Sequence, residues 1–449
     1  MKKLFGTDGI RGIANMELTG HLAFEIGRAA TYVIAEQTFH SPVILIGKDT
    51  RISGDLLEAA ITAGICSMGG HAMCLGVIPT PGIAYLTQLY HADAGIVISA
   101  SHNSFEFNGI KIFNSKGYKL SDRLEEKIEE LVSNGTLDSV RPIGDKVGKK
   151  SDITVSGQDY ASFLSGTVET DFSGMRLVMD CANGAAYKIG PELFKRLGAS
   201  VDVIAGEPNG VNINYHCGAT DLESLIKVVK GNGYDMGIAF DGDADRFMAV
   251  DEKGGVVDGD RVLAILGLHM KENHSLIDNT IVATVMSNLG LFKMAEKHGL
   301  NIVKTKVGDR YVLDEMLNNG YVLGGEQSGH TILLQHATTG DGLLTSMHLL
   351  EIMKTTGKPL SELASVMQVY PQVLLNAKVS NENKNRFMED PVIQKMRSQL
   401  EEDFKGEGRV LIRASGTEPL IRVMIEGQDK KYITDRAMEL VKVIEGRLN

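Results

Sequence analysis

Residues 94–113 read A-G-I-V-I-S-A-S-H-N-S-F-E-F-N-G-I-K-I-F. A short apolar run, Ile96 to Ile98, stops in a polar turn that carries Ser101 and His102, and a second apolar run leaves through Lys111. The pattern predicts a strand, an exposed loop and a second strand. An ordinary polar turn would explain S-A-S-H-N by itself. Reactive groups nevertheless favour such loops, because a rigid scaffold aims them while the polar backbone stays hydrated.

Outward from this stretch, one pattern occurs three times: a β-rich run, a turn, a helical run ending in glycine, and another β-rich run. The first copy is Val43 to Ile46, a helix from about Asp55 to Met68, Gly69-Gly70, and Ala72 to Val77. The second is Arg176 to Asp180, a helix near Pro191 to Leu197, Gly198, and Ser200 to Ile204. The third is Thr280 to Met286, a helix near Leu291 to His298, Gly299, and Leu300 to Lys304. Pro191 at a helix start and Gly198 past its end follow the usual asymmetry of caps. These are β-α-β units, and a period of roughly 100 residues marks repeated domains rather than a solenoid. Each copy ends on a strand that opens into a charged or Gly-rich loop: G-I-V-I-S-A-S-H-N, G-I-A-F-D-G-D-A-D-R and Y-V-L-G-G-E-Q-S-G-H. Strand ends are where open α/β sheets bind ligands, so the three loops are expected to face one cleft.

A fourth segment differs. Helical Leu360 to Met367 runs into Pro371, followed by Val373 to Val379, a polar helix, and a strand at Val410 to Ile412 that leads into R-A-S-G-T-E-P-L-I-R. The expected fold is α/β: three similar βαβ-containing domains, 1–153, 154–253 and 254–369, plus a smaller α+β domain, 370–449, around a central cleft. The stretch from Asn134 to Asp152, rich in Gly and Lys, reads as an exposed hairpin or linker.

The chain has 449 residues, 43% of them hydrophobic, enough to give each domain a core. A net charge of −11 without a long basic cluster argues against non-specific binding of nucleic acid or anionic membrane. Cys66, Cys74, Cys181 and Cys217 lie far apart with no C-x-x-C pair, which fits core packing in a reducing cytoplasm rather than a zinc site or disulfide framework. Gly6-Thr7-Asp8-Gly9 interrupts any apolar signal region after Met1-Lys2-Lys3, and no run approaches the roughly 20 apolar residues of a membrane span. A cytoplasmic location is expected.

Asp241-Gly242-Asp243-Ala244-Asp245-Arg246 is the sharpest chemical signal. In an extended loop alternate residues point the same way, so three carboxylates separated by small spacers are expected to converge on one hard cation. A calcium loop of the EF-hand type would use Glu252 at its twelfth position, but Arg246 stands where that loop needs glycine and strand-like runs flank it. Magnesium, which binds through a few carboxylates and phosphate oxygen, fits better. Arg413-Ala414-Ser415-Gly416-Thr417-Glu418 with Arg422 combines guanidinium forks, hydroxyls and a glycine that admits backbone N–H groups, a set suited to a phosphate dianion. Gly324 to His330 offers Glu326, Gln327 and Ser328 without bulk, as sugar hydroxyls would require. There is no P-loop, no H-E-x-x-H and no G-x-S-x-G, which disfavours nucleotide hydrolysis and activated-serine hydrolases. A serine that accepts a phosphoryl group gains charge a metal must balance, so Ser101 and the Asp loop make sense as one phosphoryl-transfer centre.

With F-G-T-D-G-I-R-G, I-S-A-S-H-N, D-G-D-A-D-R, G-E-Q-S-G-H and R-A-S-G-T-E-P in order along its length, the chain resembles the α-D-phosphohexomutases. The resemblance implies that Ser101 is a phosphoserine and that Asp241, Asp243 and Asp245 hold Mg²⁺ together with a phosphoserine oxygen, while Arg246 steadies that loop. It further implies that Glu326 and Ser328 read sugar hydroxyls, and that Arg413, Ser415, Gly416, Thr417 and Arg422 hold the phosphate that is not reacting. Arg11, His102, Lys111 and His330 become candidates for phosphate contact or proton transfer. The implied reaction interconverts glucosamine 6-phosphate and glucosamine 1-phosphate through a 1,6-bisphosphate, with glucosamine or glucose 1,6-bisphosphate as activator and a homodimer as the expected assembly. Glucose or mannose phosphates are the alternative substrates, and a Mg²⁺-dependent phosphatase or a calcium-binding module are readings from other classes. One departure stands out: Ser104 replaces the family's usual proline after S-H-N, and Phe107 stands where an acidic residue is common. Without a ring that pre-sets φ, the loop is expected to be less constrained.

Overall fold

In the computed structural model, which describes residues 4–6, 8–415 and 418–448, three sheets repeat one strand order. In the first, His71–Val77, Val43–Lys48 and Ala94–Ile98 run parallel, and Phe107–Asn114 closes antiparallel on Ala94–Ile98. The second has Ser200–Ile204, Arg176–Asp180 and Met236–Phe240 parallel, then Phe247–Asp251 antiparallel. The third has Asn301–Thr305, Thr280–Thr284 and Leu323–Gly325 parallel, then Thr331–Leu333 antiparallel. Each charged or Gly-rich loop therefore joins the third strand to the fourth in its own sheet.

Local chemistry explains these elements. All five residues of Ala94–Ile98 are buried, the mark of a strand covered on both faces. One face of the first sheet, through Ile44, Ile46, Ile96 and Ile98, shares a core with Ile26, Ile61 and Ile65 from the helices Gly20–Ala35 and Ser53–Ser67. The Thr19 hydroxyl caps the first of these by accepting the Leu22 amide hydrogen at 3.1 Å. No helix among the described residues is long and apolar enough to cross a membrane.

The chain divides into two compact units, Met1–Val285 with Leu300–Ser365, and Met286–Gly299 with Val366–Asn449. The second unit carries a three-stranded antiparallel sheet, Gln372–Lys378, Leu420–Gly427 and Gly408–Ala414, with Pro391–Phe404 and Lys430–Leu448 supplying helices to its core. It also includes the helix Leu289–His298, the crossover between the first two strands of the third repeat. Asn288 and Glu426 tie that helix into the unit: the Asn288 side-chain amide donates to the Glu426 carboxylate at 3.0 Å and to the Tyr370 carbonyl at 2.9 Å.

Two local expectations need correction. The Asn134–Asp152 stretch is no hairpin: two 3₁₀ turns lead to a strand, Lys150–Asp152, that pairs parallel with His71–Val77 at the sheet edge. An exposed Lys-Ser-Asp edge strand carries no apolar alternation to betray it. The helix after Pro359 stops at Ala364 rather than Met367.

Candidate active site

Ser101 sits where the first strand–loop–strand unit turns, with φ of 52°, a left-handed backbone that costs a non-glycine residue on the order of 1–3 kcal/mol. Its Oγ donates to Asp241 Oδ2 at 2.6 Å, joining the first repeat's loop to the second's. Asp241, Asp243 and Asp245 are buried, and one ligand oxygen from each lies within 4.8 Å of the others. They converge through a tight turn and not by strand alternation: the Ala244 amide donates to the Asp241 carbonyl at 3.1 Å and Ala244 has φ of 55°. Gly242 is required for the approach of the two loops, since a Cβ there would stand 2.6 Å from the Ser101 carbonyl oxygen.

Three carboxylates this close need positive charge, and Lys111 provides it from the strand Phe107–Asn114, with Nζ 3.2 Å from Asp243, 3.5 Å from Asp245 and 3.1 Å from Asp8. Burial disfavours the ammonium, yet Asp243, Asp8 and Asp245 together raise its pKa above the ordinary lysine value. Burial opposes ionisation of Asp245 too, but Lys111, His330 and Arg246 hold it well below the carboxylate range. Asp241 is pushed the other way by burial and by the neighbouring charges of Asp245 and Asp243. Asp243 Oδ1 and Asp245 Oδ1 are buried with no hydrogen-bond partner among the described residues. An all-oxygen cluster with orphaned oxygens fits a hard divalent cation. Thr80, at the start of the helix Thr80–Leu89, steadies Asp243 with its hydroxyl at 2.7 Å.

A cavity of about 440 Å³ borders this cluster at Asp245 and is lined by Asp8, Arg11, His102, Arg246, Glu326 and His330 among others, whereas Ser101, Asp241, Asp243 and Lys111 lie outside its lining. The Arg11 guanidinium pairs with Asp8 and donates to Asn103 Oδ1 at 2.9 Å. His102 Nδ1 is 3.4 Å from Ser101 Oγ. Burial and the nearby Arg246 and Arg11 lower its pKa to about 4, so the ring is neutral at pH 7. Arg246 donates its backbone N–H to Asp241 Oδ1 at 3.2 Å. Glu326 accepts the Gly308 amide hydrogen at 3.0 Å, whereas the Ser328 hydroxyl on the same loop is buried, without a partner among the described residues and outside the cavity lining. His330 Nε2 accepts the Gly340 amide hydrogen at 3.0 Å, which places the ring proton of the neutral form on Nδ1, 3.7 Å from Asp245. Glu252, the alternative calcium ligand, is engaged elsewhere by Ser361.

The structure adds residues that sequence motifs alone did not single out. Lys119 bridges Asp8 and Asp309 at 2.5 Å each, tying the first repeat to the third beside the cavity. Asp8 lies inside the quoted G-T-D-G-I-R-G, while Lys119 and Asp309 belong to no motif.

The second unit holds the remaining expected residues. Arg413 and Arg422 stand directly opposite in the antiparallel ladder, an arrangement that repels unless an anion lies between the charges. Burial, and then Arg422, lower the pKa of Arg413, whose Nε is buried without a partner among the described residues. Arg422 pairs with Glu418 at 3.1 Å, and Lys384 donates to the Ser415 carbonyl at 2.5 Å. Ser415 Oγ accepts the Glu418 amide hydrogen at 3.2 Å. Gly416 and Thr417 lie outside the described residues.

Known proteins share the order of domains along this chain. Models of the phosphoglucomutase/phosphomannomutase family match in order: alpha/beta/alpha domain I over residues 2–138, domain II over 158–255, domain III over 258–370 and the C-terminal domain over 374–443. The chain is 60% identical over 448 residues to a phosphoglucosamine mutase of Acetivibrio thermocellus, covering 100% of both chains. Among solved structures it is similar to a phosphoglucomutase/phosphomannomutase family protein from Burkholderia thailandensis, with a TM-score of 0.83 at 22% identity over 100% of this chain and 99% of that one. It is also similar to the Aspergillus fumigatus N-acetylphosphoglucosamine mutase crystallised with GlcNAc-6P and magnesium, with a TM-score of 0.72 at 16% identity over 99% and 96%. Matched end to end by one relative and segment by segment by four family domains, this protein belongs to the phosphoglucomutase/phosphomannomutase family of phosphohexomutases.

Proposed function

We propose that the protein is an intramolecular phosphotransferase that interconverts glucosamine 6-phosphate and glucosamine 1-phosphate. The observation that carries the reading is the contact of Ser101 Oγ with Asp241 inside a buried triple-carboxylate cluster. The choice of amino sugar is supported by the full-length likeness to a phosphoglucosamine mutase.

In this reading Ser101 carries the phosphoryl group, and Asp241, Asp243 and Asp245 hold Mg²⁺. The bound cation supplies charge compensation for the phosphoryl oxygens. In the first half-reaction the P–Oγ bond breaks as a bond forms between phosphorus and the free sugar hydroxyl; the hydroxyl proton passes to the enzyme, and the enzyme returns a proton to Ser101 Oγ, which leaves as a neutral serine hydroxyl. His102, a neutral ring with Nδ1 3.4 Å from Ser101 Oγ, is assigned that role. Lys111 stays charged and steadies the anionic centre, with Arg11 and His330 beside the phosphoryl path. Arg246 holds the acidic loop through its backbone amide. The bisphosphate so formed then returns its other phosphoryl group to Ser101 after turning round. Free 1,6-bisphosphate of glucosamine or glucose would therefore recharge a dephosphorylated enzyme. Glu326 and Ser328 are assigned to the sugar hydroxyls, and Arg413, Ser415, Gly416, Thr417 and Arg422 to the idle phosphate. The same reading assigns the enzyme to the cytoplasm, which suits its free cysteines, and takes a homodimer from the family resemblance alone.

A coupled assay offering glucosamine, glucose and mannose 6-phosphates, with released phosphate monitored alongside, tests the reading. Fastest turnover of glucosamine 6-phosphate is expected. Steady phosphate release without 1-phosphate would mean a phosphatase, and faster turnover of glucose or mannose 6-phosphate would reassign the substrate.

A further inference from the structure

The Ser101 loop lacks the prolyl ring at position 104, yet its backbone is held from several sides. Arg51 donates from one guanidinium nitrogen to the carbonyls of Ser101, at 3.0 Å, and Asn103, at 2.8 Å, and from the other to the carbonyl of Ser104. Asn214, from the second repeat, donates its side-chain amide to the same two carbonyls, Ser101 at 2.8 Å and Asn103 at 3.0 Å. The Ser101 amide hydrogen goes to Ser99 Oγ at 2.9 Å, and that hydroxyl donates to Asp49 Oδ2 at 2.6 Å. Asp49 Oδ2 also takes the Arg51 Nε hydrogen at 2.9 Å, and both side chains of this ion pair are fully buried. Of these side chains, Asn214 alone keeps a buried polar atom, its Oδ1, without a hydrogen-bond partner among the described residues.

We infer that Arg51, braced by Asp49, and Asn214 form a two-armed clamp that fixes Ser101 in its left-handed conformation and so aims Oγ at the acidic cluster, doing the work a proline at 104 would otherwise share. The inference rests on the phosphoserine reading of Ser101. Both are positioning residues: their contacts are to backbone carbonyls of the loop. Asn214 itself has φ of 56°, and the chain around both arms is sewn together by the Ile52 amide donating to the Gly210 carbonyl at 2.9 Å and the Thr50 hydroxyl donating to the Asn183 carbonyl at 2.5 Å. The clamp thus spans two repeats, so the phosphate-carrying loop is set against the loop that holds the cation by the same contacts that join their sheets.

Removing Arg51 altogether would strand Asp49 as a buried unpaired charge and endanger folding. Asn214→Gly is the cleaner variant, since glycine accepts a positive φ while losing the amide. Arg51→Lys keeps the charge beside Asp49 but loses the fork. For the full-length wild type and both variants, isomerisation kinetics, thermal midpoint and hydrogen exchange of the peptide spanning residues 99–104 would be measured. A misplaced reacting group costs up to about 100-fold, so kcat is expected to fall roughly 10- to 100-fold with KM within about twofold. Exchange at 99–104 should rise roughly tenfold or more while exchange elsewhere holds steady. Unchanged exchange in that peptide overturns the clamp, and faster exchange with unchanged kcat overturns its part in positioning. Should the wild type isomerise none of the three hexose phosphates, the functional reading fails, and the exchange measurement still decides whether the clamp exists.

Discussion

Ser101 combines a hydroxyl aimed at Asp241 with a left-handed backbone, so substitutions there separate chemistry from shape. Ser101→Ala should keep the fold and sugar-phosphate binding, but lose turnover by roughly 10⁶-fold or more, as expected when the covalent route is removed. Intact-protein mass after incubation with 1,6-bisphosphate should show an added phosphate on the wild type alone; normal turnover by the alanine variant would sink the phosphoserine assignment. Asp243→Asn should weaken Mg²⁺ affinity and lower kcat, with partial rescue by excess Mg²⁺, because a neutral amide balances less cationic charge. Titrating activity against Mg²⁺ after chelation checks this, and full activity at low Mg²⁺ would remove the acidic loop as the metal site. At this scale the sequence was readable where function is local: Ser101, the three aspartates and Arg246 sit inside short motifs. Thr80, Lys119 and Asp309 were not readable, since they meet partners 163, 111 and 190 residues away and pair by fold alone.

The helix Gly342–Thr356 shows how an element's start can carry a pH dependence. Its N-cap, Asp341, accepts the Leu344 amide hydrogen at 2.9 Å and the Tyr160 hydroxyl hydrogen at 2.7 Å, all buried. Burial outweighs these bonds and pushes its carboxyl up to about 6. Unfolded, the same group titrates near 3.8. Between those values the folded chain binds the proton the unfolded chain has released, so this group's contribution to stability falls as pH rises through the window, by about 3 kcal/mol in all. Asp341→Asn cannot ionise, so relative to wild type it should gain stability from pH 4.5 to pH 7. Urea denaturation of both chains across that range tests it, and parallel pH curves would refute it. Elements with strong periodicity or caps, such as Ser200–Ile204 and the helix ending before Gly299, could be read directly. The edge strand Lys150–Asp152 could not, because its partner strand alone makes it a strand. The acidic loop was legible in composition but not in shape: a left-handed Ala244, and no alternation, gathers its carboxylates.

Across the whole molecule, the threefold repeat was legible because each copy brings its own β-α-β pattern and its own loop between the third and fourth strands. The opposed arginines of the second unit were half legible: the motif named Arg413 and Arg422, but only the ladder sets them face to face. If they hold the idle phosphate in both half-reactions, Arg413→Lys should lower kcat/KM comparably in the two directions. Losing one charge-assisted hydrogen bond, about 1.5–3 kcal/mol, corresponds to roughly 10- to 150-fold. Forward and reverse rates with saturating bisphosphate would show it, and a loss confined to one direction would mean that Arg413 reads only one orientation. The division of the chain into units has a consequence for the order of events on the ribosome. The strands of the first two repeats are contiguous stretches that can pair as they emerge. The helix Leu289–His298 is made early, yet its partner Glu426 follows Asn288 by 138 residues. The third repeat's crossover therefore gains these contacts only once the last strand of the protein, Leu420–Gly427, has left the exit tunnel, and until then it stays open to proteases and chaperones.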